Sequence, residues 1–301
     1  MLVRKIEPQN LKTAFESARQ DYILLALVLV IPNVLSQFIK WRFVLRLTKP
    51  AVTNYEAFSS LLAGFALGFV TPGRIGEFGR ALFISDCSKA EIVGLTIIDK
   101  LFSTLLVFLM GSLGLFVLLE KNARFGWSWL GLVLLAILTV LLAGLFPGHL
   151  QKILLRLKKI IPRPAQIDRL AASFNNFNRR QALNLLGFTA LFYLIITSQF
   201  VILLEAFEPI ALVPAYWVVF SIFIAKTMLP ISLGDLGIRE SAAVFFAGII
   251  GARESTAFNA SILIFLINLA IPSVAGFFLL LTPKMNQQLM QQRQNEQPHS
   301  S

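Results

Sequence analysis

The stretch AFSSLLAGFALGFVTPGRIGEFGRALFI, Ala57–Ile84, decides the fold. Its apolar part, Ala57 to Gly73, falls short of the about 20 residues a helix needs to cross hydrocarbon. It stops at Thr71-Pro72-Gly73, where the ring of proline and the freedom of glycine end a helix, and charge follows at once. The predicted shape is a half-helix that goes in, breaks, and returns through Arg80 to Ser85. Pro209 to Leu229 has the same character: it breaks at Leu229-Pro230 and returns through Glu240 to Ile250.

Around these two pieces lie longer runs. Tyr22 to Ile39, Leu101 to Leu119, Phe125 to Gly148, Leu183 to Leu204 and Ser255 to Pro283 contain no Asp, Glu, Lys or Arg. Backbone inside a bilayer must satisfy its own hydrogen bonds, and the alternating period of barrel strands is missing, so these runs are predicted helices. Composition agrees: 56% of the 301 residues are hydrophobic and 14% charged, where a soluble domain carries about 25% charged residues. Mean hydropathy is +0.72. The expectation is an all-α, polytopic integral membrane protein with about five full spans plus two re-entrant hairpins in an inverted repeat. Residues 1–21 form an interfacial N-terminal segment, 22–283 the transmembrane domain, and 284–301 a disordered polar tail. The halves, about 22–148 and 183–283, are joined by a basic loop, 149–182. The first run has no small-residue cleavage site behind it and is taken as a retained span.

Lysines and arginines in short loops set orientation. Between His149 and Gln181 lie Lys152, Arg156, Lys158, Lys159, Arg163, Arg169, Arg179 and Arg180, against none from Glu205 to Leu212. That loop is predicted cytoplasmic, with the C-terminus inside and the N-terminus outside, in a cell-membrane protein. A full crossing by Ala57 to Gly73 with no return before Ile92 would force the loop outside. The net charge of +11 sits at helix ends and loops, which suits anionic lipid rather than nucleic acid. Cys87 is the one cysteine, and His149 and His299 are the only histidines. They assemble neither a disulfide framework nor a metal set. A G-x-x-x-x-G-K-[ST] loop is missing. No metal, cofactor or catalytic residue is assigned.

GEFGR at Gly76–Arg80 has a partner in GDLGIR at Gly234–Arg239. Gly76, Glu77, Phe78 and Gly79 map onto Gly234, Asp235, Leu236 and Gly237 at one offset of 158, with the arginines displaced by one residue. Paired Gly/Pro-interrupted hydrophobic segments in inverted halves mark secondary transporters, whose broken helices meet near the midplane. Glycines free backbone N–H groups, a helix start adds its positive dipole end, and arginine adds a forked donor, which suits a phosphate or carboxylate. The bland alternative is that the arginines snorkel and the glycines are ordinary turns. Asp99-Lys100 and Lys226 are ionisable residues near or within apolar sequence and need partners. Arg80 or Arg74 would serve Asp99, and Asp235 or Glu240 would serve Lys226; for Asp99-Lys100 a solvated helix start is the alternative. Trp41, Trp127, Trp129 and Trp217 read as interfacial belt residues.

These residues resemble a family, the transmembrane flippase-like domain of lysylphosphatidylglycerol synthases and its stand-alone relatives. The resemblance rests on Trp41-Arg42, PGRIGEFGRALFI at Pro72–Ile84, Asp99-Lys100 and LPISLGDLGIRE at Leu229–Glu240, and covers most of Ile6 to Thr282. It implies a domain that moves a modified anionic phospholipid between leaflets in the synthases and is linked to lipid-carried sugars in other relatives. By motif match it makes Arg74, Glu77, Arg80, Arg239 and Glu240 head-group residues, followed by Asp99 and Lys100. Nothing after Thr282 could fold into an aminoacyl-transfer domain, so synthase activity is not implied. Around Phe265 to Pro272 the arginine many relatives keep is missing.

The leading expectation is transport of an anionic phospholipid or polyprenyl-phosphate-type lipid, not enzymatic, with a substrate site built from Arg74, Gly76, Glu77, Gly79, Arg80, Asp99, Lys100, Lys226, Gly234, Asp235, Gly237, Arg239 and Glu240. Two alternatives stay open: a lipid-modifying enzyme using Glu77, Asp235 or Glu240, and a non-transporting subunit of an envelope assembly. A homo-oligomer or a lipid-synthesis enzyme partner fits either.

Overall fold

A computed structural model describes residues 18–120, 168, 177–229 and 235–282. The expected span Phe125 to Gly148, most of the basic loop, Gly234 and the polar tail lie outside the described residues. Within them the chain is helical, without strands. Four helical stretches are long and apolar enough to cross a membrane: Gln20–Leu45, Lys89–Leu119, Arg179–Phe207 and Glu254–Leu280. Each coincides with a charge-free run read from the sequence and extends past it at one or both ends. The protein is a polytopic all-α membrane protein.

The first span is α1 (Gln20–Val28) and α2 (Val30–Leu45). They part at Leu29 because Pro32 has no N–H to give the carbonyl of Val28. A threonine cap starts α3 (Asn54–Phe69), where the Thr53 hydroxyl accepts from the Glu56 N–H at 3.1 Å. A 3-10 helix, Ile75–Phe83, comes next, then the long α4 (Lys89–Glu120). An Asn178–Gln181 capping box starts α5 (Arg179–Phe207). Then come α6 (Leu212–Met228) and α7 (Ile238–Ile249). The last span is α8 (Glu254–Phe265), a π turn (Leu266–Ala270) and α9 (Ile271–Leu280). Pro272 explains the π turn, since it cannot donate to Asn268 and its ring crowds that carbonyl.

Contacts sort these elements onto two ends. The Arg19 N–H donates to the Ala206 carbonyl at 2.8 Å, so α1 begins where α5 finishes. Burial raises the Glu208 carboxyl, but donation from the Arg253 N–H at 3.0 Å and the Thr256 hydroxyl at 2.9 Å, with the Arg253 guanidinium, holds it below its ordinary range. This tie between α5 and α8 is complete above the ordinary carboxylate range and weakens as pH falls through the lowered value. These elements, with the start of α6, make the Phe207 end. At the opposite, Leu45 end, Trp41 and Leu45 share a cluster with Ile92, Ala182 and Leu185. Lys49 also reaches Glu56 at 2.7 Å there, and Glu56 accepts from the Ser85 N–H at 2.8 Å.

The two short pieces enter from opposite ends. At ~1.5 Å per residue, α3 is ~24 Å long against a hydrocarbon core of about 30 Å. It starts at the Leu45 end, stops, and the 3-10 helix runs back along it. A Cβ on Gly76 would strike the Leu67 carbonyl, and one on Gly68 would lie 2.8 Å from Glu77 Cγ. Helix α6 enters from the Phe207 end, packing on α4 at Gly111 and Gly114, and α7 returns to that end. Both are helix–break–helix hairpins as the sequence indicates, though the first return arm is a 3-10 helix that contains its motif from Gly76 to Arg80, whereas α7 begins within the second motif, at Ile238. An amide hub ties three of the four described spans, the first, α5 and the last. Gln199 Nε2 donates to the Ala26 carbonyl at 2.6 Å, and its Oε1 accepts from Asn268 at 2.8 Å and Asn33 at 3.5 Å.

Gly276 of α9 lies against the Leu62 carbonyl of α3, where a methyl group has no room, while Gly187 faces open space. Gly276→Ala is therefore expected to cost about 1–3 kcal/mol and Gly187→Ala to add about 0.5–1 kcal/mol, read as opposite shifts of thermal unfolding in detergent.

Candidate functional site

Where the two hairpin tips approach, a cavity of about 340 Å³ is lined by Arg74, Glu77, Arg80, Asp99, Lys100, Lys226 and Asp235. Seven of the residues singled out from the sequence thus face one chamber, contributed by both hairpins and by α4.

Each tip is built by its local sequence. The Thr71 hydroxyl donates to the Leu67 carbonyl at 3.0 Å and accepts from the Gly76 N–H at 2.7 Å, closing the turn that Pro72 and Gly73 open. Arg74 caps the 3-10 helix in the left-handed region, φ 56°. Asp235 at the other tip is left-handed too, φ 65°. Non-glycine residues occupy that region at a cost and cluster at working sites.

Glu77 is the centre of the charge arrangement. Its Oε1 lies 2.6 Å from Arg74 Nε, and its Oε2 lies 2.9 Å from Lys100 Nζ and 3.1 Å from Arg80. Arg80 also approaches Asp99 at 3.6 Å and stacks over the Trp41 ring at 4.5 Å. The second oxygen of Asp99 takes Lys40 at 2.8 Å, and Lys40 donates to the Ser103 hydroxyl at 3.0 Å. Across the chamber Lys226 meets Asp235 at 3.2 Å. The expected partners of Asp99 and Lys226 include Arg80 and Asp235, as found.

Other residues are placed differently. Gly76 and Gly79 do not face the chamber but lie against Leu67, letting the 3-10 helix pack on α3. Gly237, φ 86°, donates its N–H to Glu240 Oε2 at 2.6 Å and starts α7. Arg239 and Glu240 are buried behind the chamber, paired with each other. The Ser261 hydroxyl is 3.0 Å from Arg239, and Phe265 lies beneath the guanidinium at 5.1 Å. Phe265 also stacks on Phe69 at 5.9 Å, which links the second hairpin to the end of α3.

Two expectations are corrected. Trp41 is not a belt residue: it is fully buried, its indole N–H donates to the Ser60 hydroxyl at 2.8 Å, and its face carries Arg80. Asp99-Lys100 is not a solvated helix start either, because α4 begins at Lys89 and buries Asp99 within the span. One charged residue of the chamber is absent from the residues singled out by sequence. Lys40 lies just beyond the charge-free run that ends at Ile39, but α2 continues to Leu45 and draws it inside. Its adjacency to Trp41 at the end of a charge-free run was the available signal.

A family model described as "Lysylphosphatidylglycerol synthase TM region" matches residues 1–276. No curated protein and no solved structure matches the chain.

Removing one partner of a buried ion cluster leaves uncompensated charge, which costs about 3–5 kcal/mol. Glu77→Gln leaves three cations facing one another and is expected to lose that much. Asp235→Asn, which releases only Lys226 at a more open position, is expected to lose less than half of it. Thermal unfolding of the two variants in detergent checks the order.

Proposed function

The chain belongs to the lysylphosphatidylglycerol synthase transmembrane-region family, and from that premise we propose that it carries an anionic lipid head group between leaflets. The observation that supports this most is the convergence of hairpins from opposite ends on one charged chamber. In an alternating-access carrier, paired broken helices hold the substrate at mid-depth while each hairpin gates the path to its own leaflet. Arg74, Lys100 and Lys226 offer the anion one forked guanidinium and two ammonium groups. The buried Arg80–Glu77–Asp99–Lys40 row holds them in place.

A carrier suits the chamber better than an enzyme. A general base needs a carboxylate free to take a proton, whereas Glu77 is held by three cations, Asp99 by two and Asp235 by one. We assign the Leu45 end to the cytoplasm of a cell-membrane protein, because Arg179 and Arg180, which follow the basic stretch in the sequence, adjoin it. Thr282 then lies inside and Gln20 outside.

Full-length protein in vesicles containing a labelled anionic phospholipid is expected to accelerate leaflet exchange over empty vesicles. Lys100→Gln or Arg74→Gln is expected to slow it about tenfold, as loss of one charge-assisted contact predicts, with Gly187→Ala unchanged. Exchange no faster than in empty vesicles, across several anionic head groups, would overturn the proposal.

A further inference from the structure

The eight charged residues of the chamber separate into two layers by exposure. Lys40, Arg80, Glu77 and Asp99 form the inner layer, with side chains 4–9% exposed. Arg74, Lys100, Lys226 and Asp235 form the outer layer, 14–33% exposed. The inner layer has two cations and two carboxylates and is neutral by itself. The outer layer has three cations and one carboxylate, so an excess of two positive charges lies on the side chains that a ligand can reach.

Excess charge of one sign on the walls of a cleft draws a ligand or counter-ions of the opposite sign. A phosphodiester brings one negative charge. A phosphate monoester brings about 1.5 to 2 at neutral pH and three acceptor oxygens. The outer layer offers donors of matching kind: a guanidinium from the first hairpin tip, an ammonium from α4 and an ammonium from α6. The inner layer cannot supply this match, since Arg80 is covered by Trp41 and Lys40 is held by Asp99 and Ser103.

Resting on the transport proposal above, we infer that the chamber takes a phosphate monoester dianion carried on a lipid, in preference to the singly charged phosphodiester of phosphatidylglycerol. Arg74, Lys100 and Lys226 are its ligands. Asp235 sets the charge count, so the preference for two charges over one follows the outer layer's net charge.

Native mass spectrometry of the full-length protein in detergent, titrated with dodecyl phosphate, phosphatidylglycerol and diacylglycerol, tests this. Dodecyl phosphate is expected to bind about tenfold or more tightly than phosphatidylglycerol, and inorganic phosphate to displace it poorly. Lys100→Gln narrows the ratio, and Asp235→Asn, which adds net positive charge, widens it. The opposite directions separate charge matching from misfolding. Phosphatidylglycerol binding as tightly as dodecyl phosphate, with both above diacylglycerol, would overturn the preference and leave the transport proposal standing. Neither anionic lipid binding above diacylglycerol would overturn both. Displacement by inorganic phosphate at equal concentration would make this a site for free phosphate and overturn the lipid assignment.

Discussion

A carboxylate removed from water survives only where cations and donors replace its hydration, and in this protein that requirement centres on Glu77. It sits at 6% exposure and draws Arg80 from its own 3-10 helix, Arg74 from that helix's cap and Lys100 from α4. The backbone is shaped to allow it. Gly68 leaves room for the Glu77 side chain on α3, and Gly64 leaves room for Arg80. Arg80 in turn extends the cluster to Asp99, and Asp99 to Lys40 on α2. Thus one buried acid couples the first hairpin to two full spans, and the chamber wall is a connected ionic structure rather than a set of separate side chains.

The two hairpins are related in sequence but have different roles. The first places its charged motif residues, Glu77 and Arg80, on the chamber, because the motif lies inside a 3-10 helix held against α3. In the second, Gly237 starts α7 just after Asp235, so among the described motif residues the aspartate alone lines the chamber while Arg239 and Glu240 turn inward to Ser261 and Phe265. The displaced arginine in the motif alignment is the sequence counterpart of this difference. Phe265, between Phe69 and Arg239 and just before the π turn, joins the hairpins mechanically.

Much of this was legible because lipid imposes simple rules. Four of the five charge-free runs became spans, the fifth lying outside the described residues, and apolar runs that were too short and ended in Pro and Gly became hairpins. The match between Gly76–Gly79 and Gly234–Gly237 pointed at both tips. Burial was harder to read. Trp41 looks like a belt residue and Lys40 like a loop charge as long as the first span is thought to end at Ile39, and only the continuation of α2 to Leu45 brings them inside. The direction of Arg239 was also illegible, since one residue of helical phase decides whether it faces the chamber or Ser261.

Arg74 and Asp235, carried by hairpins from opposite ends, share one chamber, and the carrier mechanism depends on that. Cysteines at those two positions, with Cys87 replaced by serine, can be tested in intact membranes with a short bifunctional thiol reagent. The account predicts an intramolecular cross-link that an impermeant thiol reagent added from either side alone does not efficiently block. Two cysteines that each react fully with the impermeant reagent from the same side, with no cross-link between them, would contradict it.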